Sequence, residues 1–242
     1  MNPLRFGCVP YLNGRPLVEG LRGVVFRPPS ELADLLEAGE VDAAIVPSVE
    51  VLRRRLDHVP GIAIASPGKT DSVRLYHRRE ILELRRVALD RNSKTSNLLA
   101  RVILERRYGL RPSYVLRDPG RGLSWRGVDA AVTIGDASFL PRGVPHLDLG
   151  NEWKAFTGRP MVYALWAHRR GHPRAREIAR ILREARDRGL KRLDAIARRE
   201  AARLGLTPRF CRGYLAECLT YTFGPAERAG LHLFWNHVRT YL

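Results

Sequence analysis

The stretch Val87-Ala-Leu-Asp-Arg-Asn-Ser-Lys-Thr-Ser-Asn-Leu-Leu-Ala-Arg-Val-Ile103 decides the reading of the fold. Its first four residues are a short, mostly apolar run that suits a buried strand. Residues 91–96 are a polar turn, and Leu98, Leu99, Val102 and Ile103 then recur at helical spacing, which predicts a helix over 96–108. A strand that passes through hydroxyl-bearing residues straight into a helix is the building block of an α/β layer.

The same rhythm runs upstream. Residues 4–8 read as a strand, 9–16 as a loop and 24–26 as a second strand. Ser30 is placed to cap a helix with Leu32, Leu35 and Leu36 inward, and Gly39 suits its end. Residues 43–46 form a strand that stops at Pro47-Ser48, and a short helix follows with Val51 and Leu52 inward. Further strands are expected at 61–65 and 72–75. This alternation predicts a mainly parallel sheet.

Downstream, 114–116, 130–134 and 160–167 read as strands. From residue 174 the chain reads as helix throughout, over 174–188, 190–204, 208–220 and 225–239. The expected organisation is α/β, with two lobes around a cleft. Residues 1–88 and 170–242 make the first lobe, completed by C-terminal helices, and 89–169 make the second. Ligands of such units sit beyond the carboxyl ends of strands, where loops meet helix N-termini.

Composition excludes several function classes. The 242 residues are 45% hydrophobic, enough for a real core, and no apolar run approaches the roughly 18–20 residues that span a bilayer. The first residues carry no basic stretch followed by an apolar one, so a secretory signal is not expected and a cytoplasmic location is. Cys8, Cys211 and Cys218 are too few and too scattered for a disulfide framework or a zinc site. The formal charge is +17, and only four of the 42 basic residues are lysine. Residues 1–88 carry 13 basic and 11 acidic side chains, so the excess lies in the later parts. Along 174–204 the apolar stripe faces inward and the arginines fill the outer face, a solvated surface. No RNP sequence, zinc-finger spacing or basic tract interleaved with aromatics supports a nucleic-acid partner.

Catalytic motifs fail one by one. Gly68-Lys69-Thr70 ends like a phosphate-binding loop, but position 63 is Ala63 and strand-like residues follow. Gly120-Arg-Gly122 lacks the third glycine of a dinucleotide loop, since Trp125 stands there. The seven histidines include no HExxH, and Gly171 and Pro173 argue against one helix carrying His168 and His172. No serine occupies a G-x-S-x-G elbow. Neither a metal nor a cofactor is called for. What remains are neutral polar residues at strand ends: Asn13, Ser48, Ser72, Ser93, Thr95 and Ser96. Singly, such residues close turns or cap helices. The 93–96 cluster opens a helix, where hydroxyls and free N–H groups suit a carboxylate or a phosphate.

Several blocks taken together carry a resemblance. They are Tyr11-Leu-Asn-Gly-Arg-Pro-Leu17, Gly39-Glu-Val-Asp-Ala-Ala-Ile-Val-Pro-Ser-Val-Glu50, Asp71-Ser-Val-Arg-Leu75 and Leu89-Asp-Arg-Asn-Ser-Lys-Thr-Ser96, then Ile134-Gly-Asp136, Asp148-Leu-Gly-Asn-Glu-Trp153 and Thr157-Gly-Arg-Pro-Met-Val-Tyr-Ala-Leu-Trp166. In this order they resemble the chorismate dehydratase family of the futalosine route to menaquinone. The resemblance covers most of residues 5–170 and is weaker in the helical C-terminal part. It implies a periplasmic-binding-protein-like fold of type II and the loss of water from chorismate to give 3-[(1-carboxyvinyl)oxy]benzoate. It also ties activity to the asparagine of the Tyr-Leu-Asn block and the serine before Val-x-Leu, here Asn13 and Ser72. Tyr11 and Asp136, which stand in these blocks, join Ser48, Ser93, Thr95 and Ser96 as expected substrate-binding residues. Gly14, Arg15 and Arg159 depart from the family's usual residues.

Chorismate carries two carboxylates, so a positive cleft and a hydroxyl-lined helix N-terminus are expected. Its dehydration makes the ring aromatic, so the site has to orient the substrate and stabilise charge more than supply a strong base. The substrate's own enolpyruvyl carboxylate is the expected proton acceptor. The rival expectation is a cytoplasmic binding protein or sensor for a small carboxylate, with the same fold and no chemistry.

Overall fold

The computed structural model describes residues 3–118, 123–139 and 143–242, so Gly120-Arg-Gly122 lies outside the described residues. The chain runs β1 (Phe6–Cys8), a 3₁₀ turn (Leu12–Val18), β2 (Val25–Phe26), α1 (Pro29–Glu37), β3 (Ala43–Pro47), α2 (Ser48–Arg53) and β4 (Asp57–Ser66). It continues with β5 (Val73–His77), β6 (Arg86–Asp90) and α3 (Lys94–Val102), which runs on into a π-helical turn (Ile103–Arg107). Next come β7 (Ser113–Arg117), β8 (Ala130–Ile134), a 3₁₀ turn (Gly135–Phe139), β9 (His146–Asp148), α4 (Leu149–Thr157) and β10 (Met161–His168). The end is helical: α5 (Ala175–Lys191), α6 (Leu193–Leu204), α7 (Pro208–Gly213) with a π-helical turn (Tyr214–Cys218), and α8 (Pro225–Val238).

Among the described residues two five-stranded sheets result, ordered β2-β1-β3-β10-β4 and β7-β6-β8-β5-β9. Both follow one plan. The second strand in each order, β1 or β6, pairs in parallel with both its neighbours. The strand delivered by a crossing, β10 or β5, is inserted antiparallel between two others. The mainly parallel sheet expected from the sequence is therefore corrected to a mixed one. A strand entering from the other lobe arrives at the opposite end and has to run the other way. β5 already belongs to the second sheet, so the chain first crosses at residues 67–72 and not at 88.

Each sheet has its own apolar core. In the first, the wholly buried run of β3 packs with Trp166, Ile178, Leu182, Ile196 and Leu215. The stripe read along 174–204 is thus the side of α5 and α6 that covers this sheet. Gly189 of α5 lies so close to the first 3₁₀ turn that an added Cβ would sit 2.0 Å from the Pro16 carbonyl oxygen. This backbone contact holds the turn that carries Asn13. The second core joins Leu75, Val87, Leu99, Ile103 and Trp153. The C-terminal helices do not all complete the first lobe: Leu231 of α8 joins the first core, whereas Phe234 and Val238 join the second.

Candidate active site

The cleft between the sheets holds about 550 Å³ of free space, mouth included. The first lobe contributes Val9, Tyr11, Asn13, Ile45, Pro47 and Ile64, and β10 contributes Tyr163 and Ala164. From across the cleft come Ser72, Val73, Ser93, Thr95, Ser96, Ile134 and Gly135. Not one of the described lining residues is Asp, Glu, Lys, Arg or His. The expected positive cleft is thereby corrected. The nearby arginines are spent on other partners: Arg15 on Glu200 and the Pro10 carbonyl, Arg74 on Asp71 and the Ser138 carbonyl, Arg203 on Asp136 and Glu200. The net charge of the molecule still favours approach of anions over long range.

The segment read as a loop over 9–16 is a 3₁₀ turn in its second half, opened by Tyr11 and closed internally by the Gly14 N–H on the Tyr11 carbonyl at 3.1 Å. It presents Tyr11 and Asn13 to the cleft. Burial, with Asp90 and Asp136 nearby, keeps the Tyr11 hydroxyl protonated far above neutral pH. Asn13 Oδ1 is buried with no hydrogen-bond partner among the described residues. A buried acceptor without a donor costs about 1–3 kcal/mol, so this oxygen is poised for a ligand's donor. Gly135 of the second lobe, at φ +59°, faces the Tyr11 ring, which an added Cβ would meet at 2.6 Å.

Ser72 comes from the crossing segment, and its position is fixed by an anchored turn. Asp148, the N-cap of α4, accepts hydrogen bonds from the N–H groups of Thr70 (3.0 Å) and Asp71 (2.6 Å) as well as Asn151 (3.0 Å). Asp71 is held at φ +57°, a conformation that L-residues rarely adopt. Burial works to raise its carboxyl, but Lys69 and Arg74 outweigh it and hold it below the usual range. The Ser72 N–H donates to the Thr70 carbonyl at 2.7 Å, and the Ser72 carbonyl accepts from Gly135 N–H at 2.8 Å.

The turn after β6 gives the opposite kind of surface. Ser93 caps α3 by accepting from the Ser96 N–H at 3.3 Å. Thr95 Oγ1 accepts from the Val49 N–H at 3.4 Å and lies 3.5 Å from Ser48 Oγ. The first N–H groups of a helix have no acceptor within it and carry the positive end of its dipole. Beneath them Asp90 ends β6, clamped by Asn97: Asp90 N–H donates to Asn97 Oδ1 at 3.0 Å and Asn97 Nδ2 donates to the Asp90 carbonyl at 2.7 Å. Burial pushes the Asp90 carboxyl up to about 6, against one bond from the Asn92 N–H.

Of the eight residues expected at the site, Tyr11, Asn13, Ser72, Ser93, Thr95 and Ser96 line the cleft. Ser48 and Asp136 do not. Ser48 is wholly buried and donates to the Val162 carbonyl at 2.8 Å. The Asp136 carboxylate joins the lobes: it accepts from the Leu12 N–H at 2.8 Å and from Arg203 at 3.1 Å. Tyr163 and Leu219 line the cleft without having been expected there. Tyr163 sits in a strand buried almost throughout, so no alternation marks it as cleft-facing. Its hydroxyl lies 3.3 Å from Ser66 Oγ.

Residues 4–240 match the protein family described as menaquinone biosynthesis. The chain belongs to this family. A relative from Thermus thermophilus, named chorismate dehydratase, is 35% identical over 97% of this chain and 94% of that one. Among solved structures, a protein from Archaeoglobus fulgidus superposes with a TM-score of 0.77 at 17% identity, over 98% of this chain and 97% of that one. The periplasmic aliphatic sulphonate binding protein SsuA from Escherichia coli superposes with a TM-score of 0.70, also at 17% identity, over 99% of this chain and 92% of its own. The fold of this family member is thus that of a periplasmic binding protein.

Proposed function

We propose that the protein is a chorismate dehydratase, acting in the cytoplasm on the futalosine route to menaquinone and converting chorismate to 3-[(1-carboxyvinyl)oxy]benzoate. The reaction breaks the C–H bond at the ether-bearing ring carbon and the C–O bond of the ring hydroxyl, and the proton and hydroxide leave as water. The observation that carries this reading is the 35% identity to a chorismate dehydratase over nearly the whole chain. The cleft chemistry supports it. Donors at the start of α3 suit one substrate carboxylate. Asn13, with its unpartnered oxygen, and Ser72 suit the reacting ring and its departing hydroxyl. The described lining offers neither a carboxylate nor an imidazole, which supports assigning proton removal to the substrate's own enolpyruvyl carboxylate. Aromatisation supplies the driving force, and the protein supplies orientation.

The test is to incubate the purified protein with chorismate and follow both compounds by chromatography beside a protein-free control. Chorismate should fall and 3-[(1-carboxyvinyl)oxy]benzoate should rise one for one. Chorismate that persists as in the control, bound or unbound, would overturn the enzyme reading and leave that of a binding protein.

A further inference from the structure

Asn13 and Ser72, the two residues assigned to the reacting ring, come from different lobes, and one short segment bonds to the backbone beside both. That segment is the 3₁₀ turn Gly135–Phe139 after β8. Its Gly135 N–H donates to the Ser72 carbonyl at 2.8 Å, and Ser138 Oγ donates to the same oxygen at 3.2 Å. Its Asp136 reaches the other lobe. There Oδ1 accepts from the N–H of Leu12, the residue just before Asn13, at 2.8 Å.

Leu12 opens the first 3₁₀ turn, and its N–H, like the leading N–H groups of any helix, has no acceptor inside the turn. Asp136 supplies the missing acceptor. Its other oxygen is held by Arg203 of α6 at 3.1 Å, and Arg203 Nε donates to Glu200 at 2.7 Å. Glu200 in turn pairs with Arg15 at 3.4 Å. The chain of bonds thus returns to the turn it started from, gripping it at Leu12 and at Arg15. Only 16% of the Asp136 side chain is exposed, so water competes weakly for these bonds. Separate contacts join the lobes at the α3 end of the cleft: Lys94 pairs with Glu50 at 3.1 Å, and Ser30 Oγ donates to Asn92 Oδ1 at 3.3 Å. Removing the Asp136 carboxylate therefore frees the turn rather than parting the lobes.

We infer that Asp136 is a positioning residue for the dehydration: its carboxylate seats the turn that carries Asn13 on the segment that fixes Ser72. The inference rests on the function proposed above. Asp136 does not line the cleft, so it acts through Asn13.

The experiment compares Asp136→Ala and Asp136→Asn with wild type on chorismate, each also combined with Asn13→Ala. In Asp136→Ala kcat should fall about 10- to 100-fold, as for small misplacements of reacting groups, with KM nearly constant because the donors of α3 are untouched. Asp136→Asn keeps an acceptor for the Leu12 N–H and loses only the ion pair, so its kcat should fall about 3- to 10-fold. Neither substitution should slow Asn13→Ala further, the signature of action through Asn13. Wild-type kcat in Asp136→Ala, a loss confined to melting temperature, an Asp136→Asn protein no faster than Asp136→Ala, or losses that multiply in the Asn13→Ala background would each overturn the inference and leave the proposed function standing. If Asp136→Ala does not fold, Asp136→Asn decides alone: a loss that vanishes in the Asn13→Ala background upholds the inference, and wild-type kcat overturns it. Wild-type protein inert toward chorismate would overturn both.

Discussion

After β1 the chain turns into a seven-residue 3₁₀ segment, and after β6, the equivalent strand of the other sheet, it turns into the nine-residue helix α3. Both turns reach the cleft. The first contains Gly14 and Pro16 and winds too tightly and briefly to build a dipole, so it offers side chains: the Tyr11 ring and the Asn13 amide with an unpartnered acceptor oxygen. The second offers the positive end of a helix, with hydroxyls already engaged in capping and in binding the first lobe. The strands leading in also differ. β1 ends in Cys8, whose thiol burial pushes up to about 12, while β6 ends in Asp90, pushed up to about 6. One fold position thus supplies an acceptor suited to a hydroxyl, and its counterpart supplies donors suited to a carboxylate. A cleft built this way can orient an anion without a single charged side chain in its described lining.

The largest expected effect tests whether Ser72, across the cleft from the first turn, belongs with it to the reacting end. Ser72→Ala should fold normally and lose about 100-fold or more in kcat, the scale for removing one preorganised polar contact. Turnover near wild type, or a loss in KM alone, would move Ser72 to the carboxylate end and break the contrast.

A smaller effect concerns Asp90. Its folded value of about 6 lies above the ordinary 3.8, so ionisation is harder in the folded state. Its contribution to stability is full below pH 4, is lost as the pH rises through 6, and stays lost above. Asp90→Asn should therefore match wild type in melting temperature near pH 4. At pH 7 it should melt higher, being more stable by up to about 3 kcal/mol at 1.36 kcal/mol per pH unit. Parallel pH profiles for the two proteins would show that the second turn carries no such titration.

How much of this was legible beforehand follows from what local sequence encodes. The strand–turn–helix around residues 87–103 was readable because apolar spacing and a capping serine are local signals. The reversal of β5 and β10 was not, since strand direction depends on which end of a sheet a crossing chain reaches. The crossing at 67–72 was hidden because its anchor, the Asp148 carboxylate on the Thr70 and Asp71 N–H groups, comes from a distant segment. α4 was missed because its buried face carries only Leu149, Gly150 and Trp153, and β9 because none of its three residues is wholly buried. Asp136 was read as a substrate ligand, and only the fold shows its carboxylate spent on Leu12 and Arg203. The 3₁₀ turn passed as a loop because Gly14 and Pro16 punctuate it.

The contrast between the turns is tested most directly by measuring kcat and KM for Asn13→Ala and Thr95→Ala on chorismate, side by side in proteins with wild-type melting temperatures. Asn13→Ala should lose about 100-fold or more in kcat with a nearly constant KM. Thr95→Ala should keep kcat and raise KM about 10- to 100-fold, the worth of one charge-assisted hydrogen bond of roughly 1.5–3 kcal/mol. The same pattern in both variants, or the reverse assignment, would contradict the division of the cleft into a reacting end and a carboxylate end.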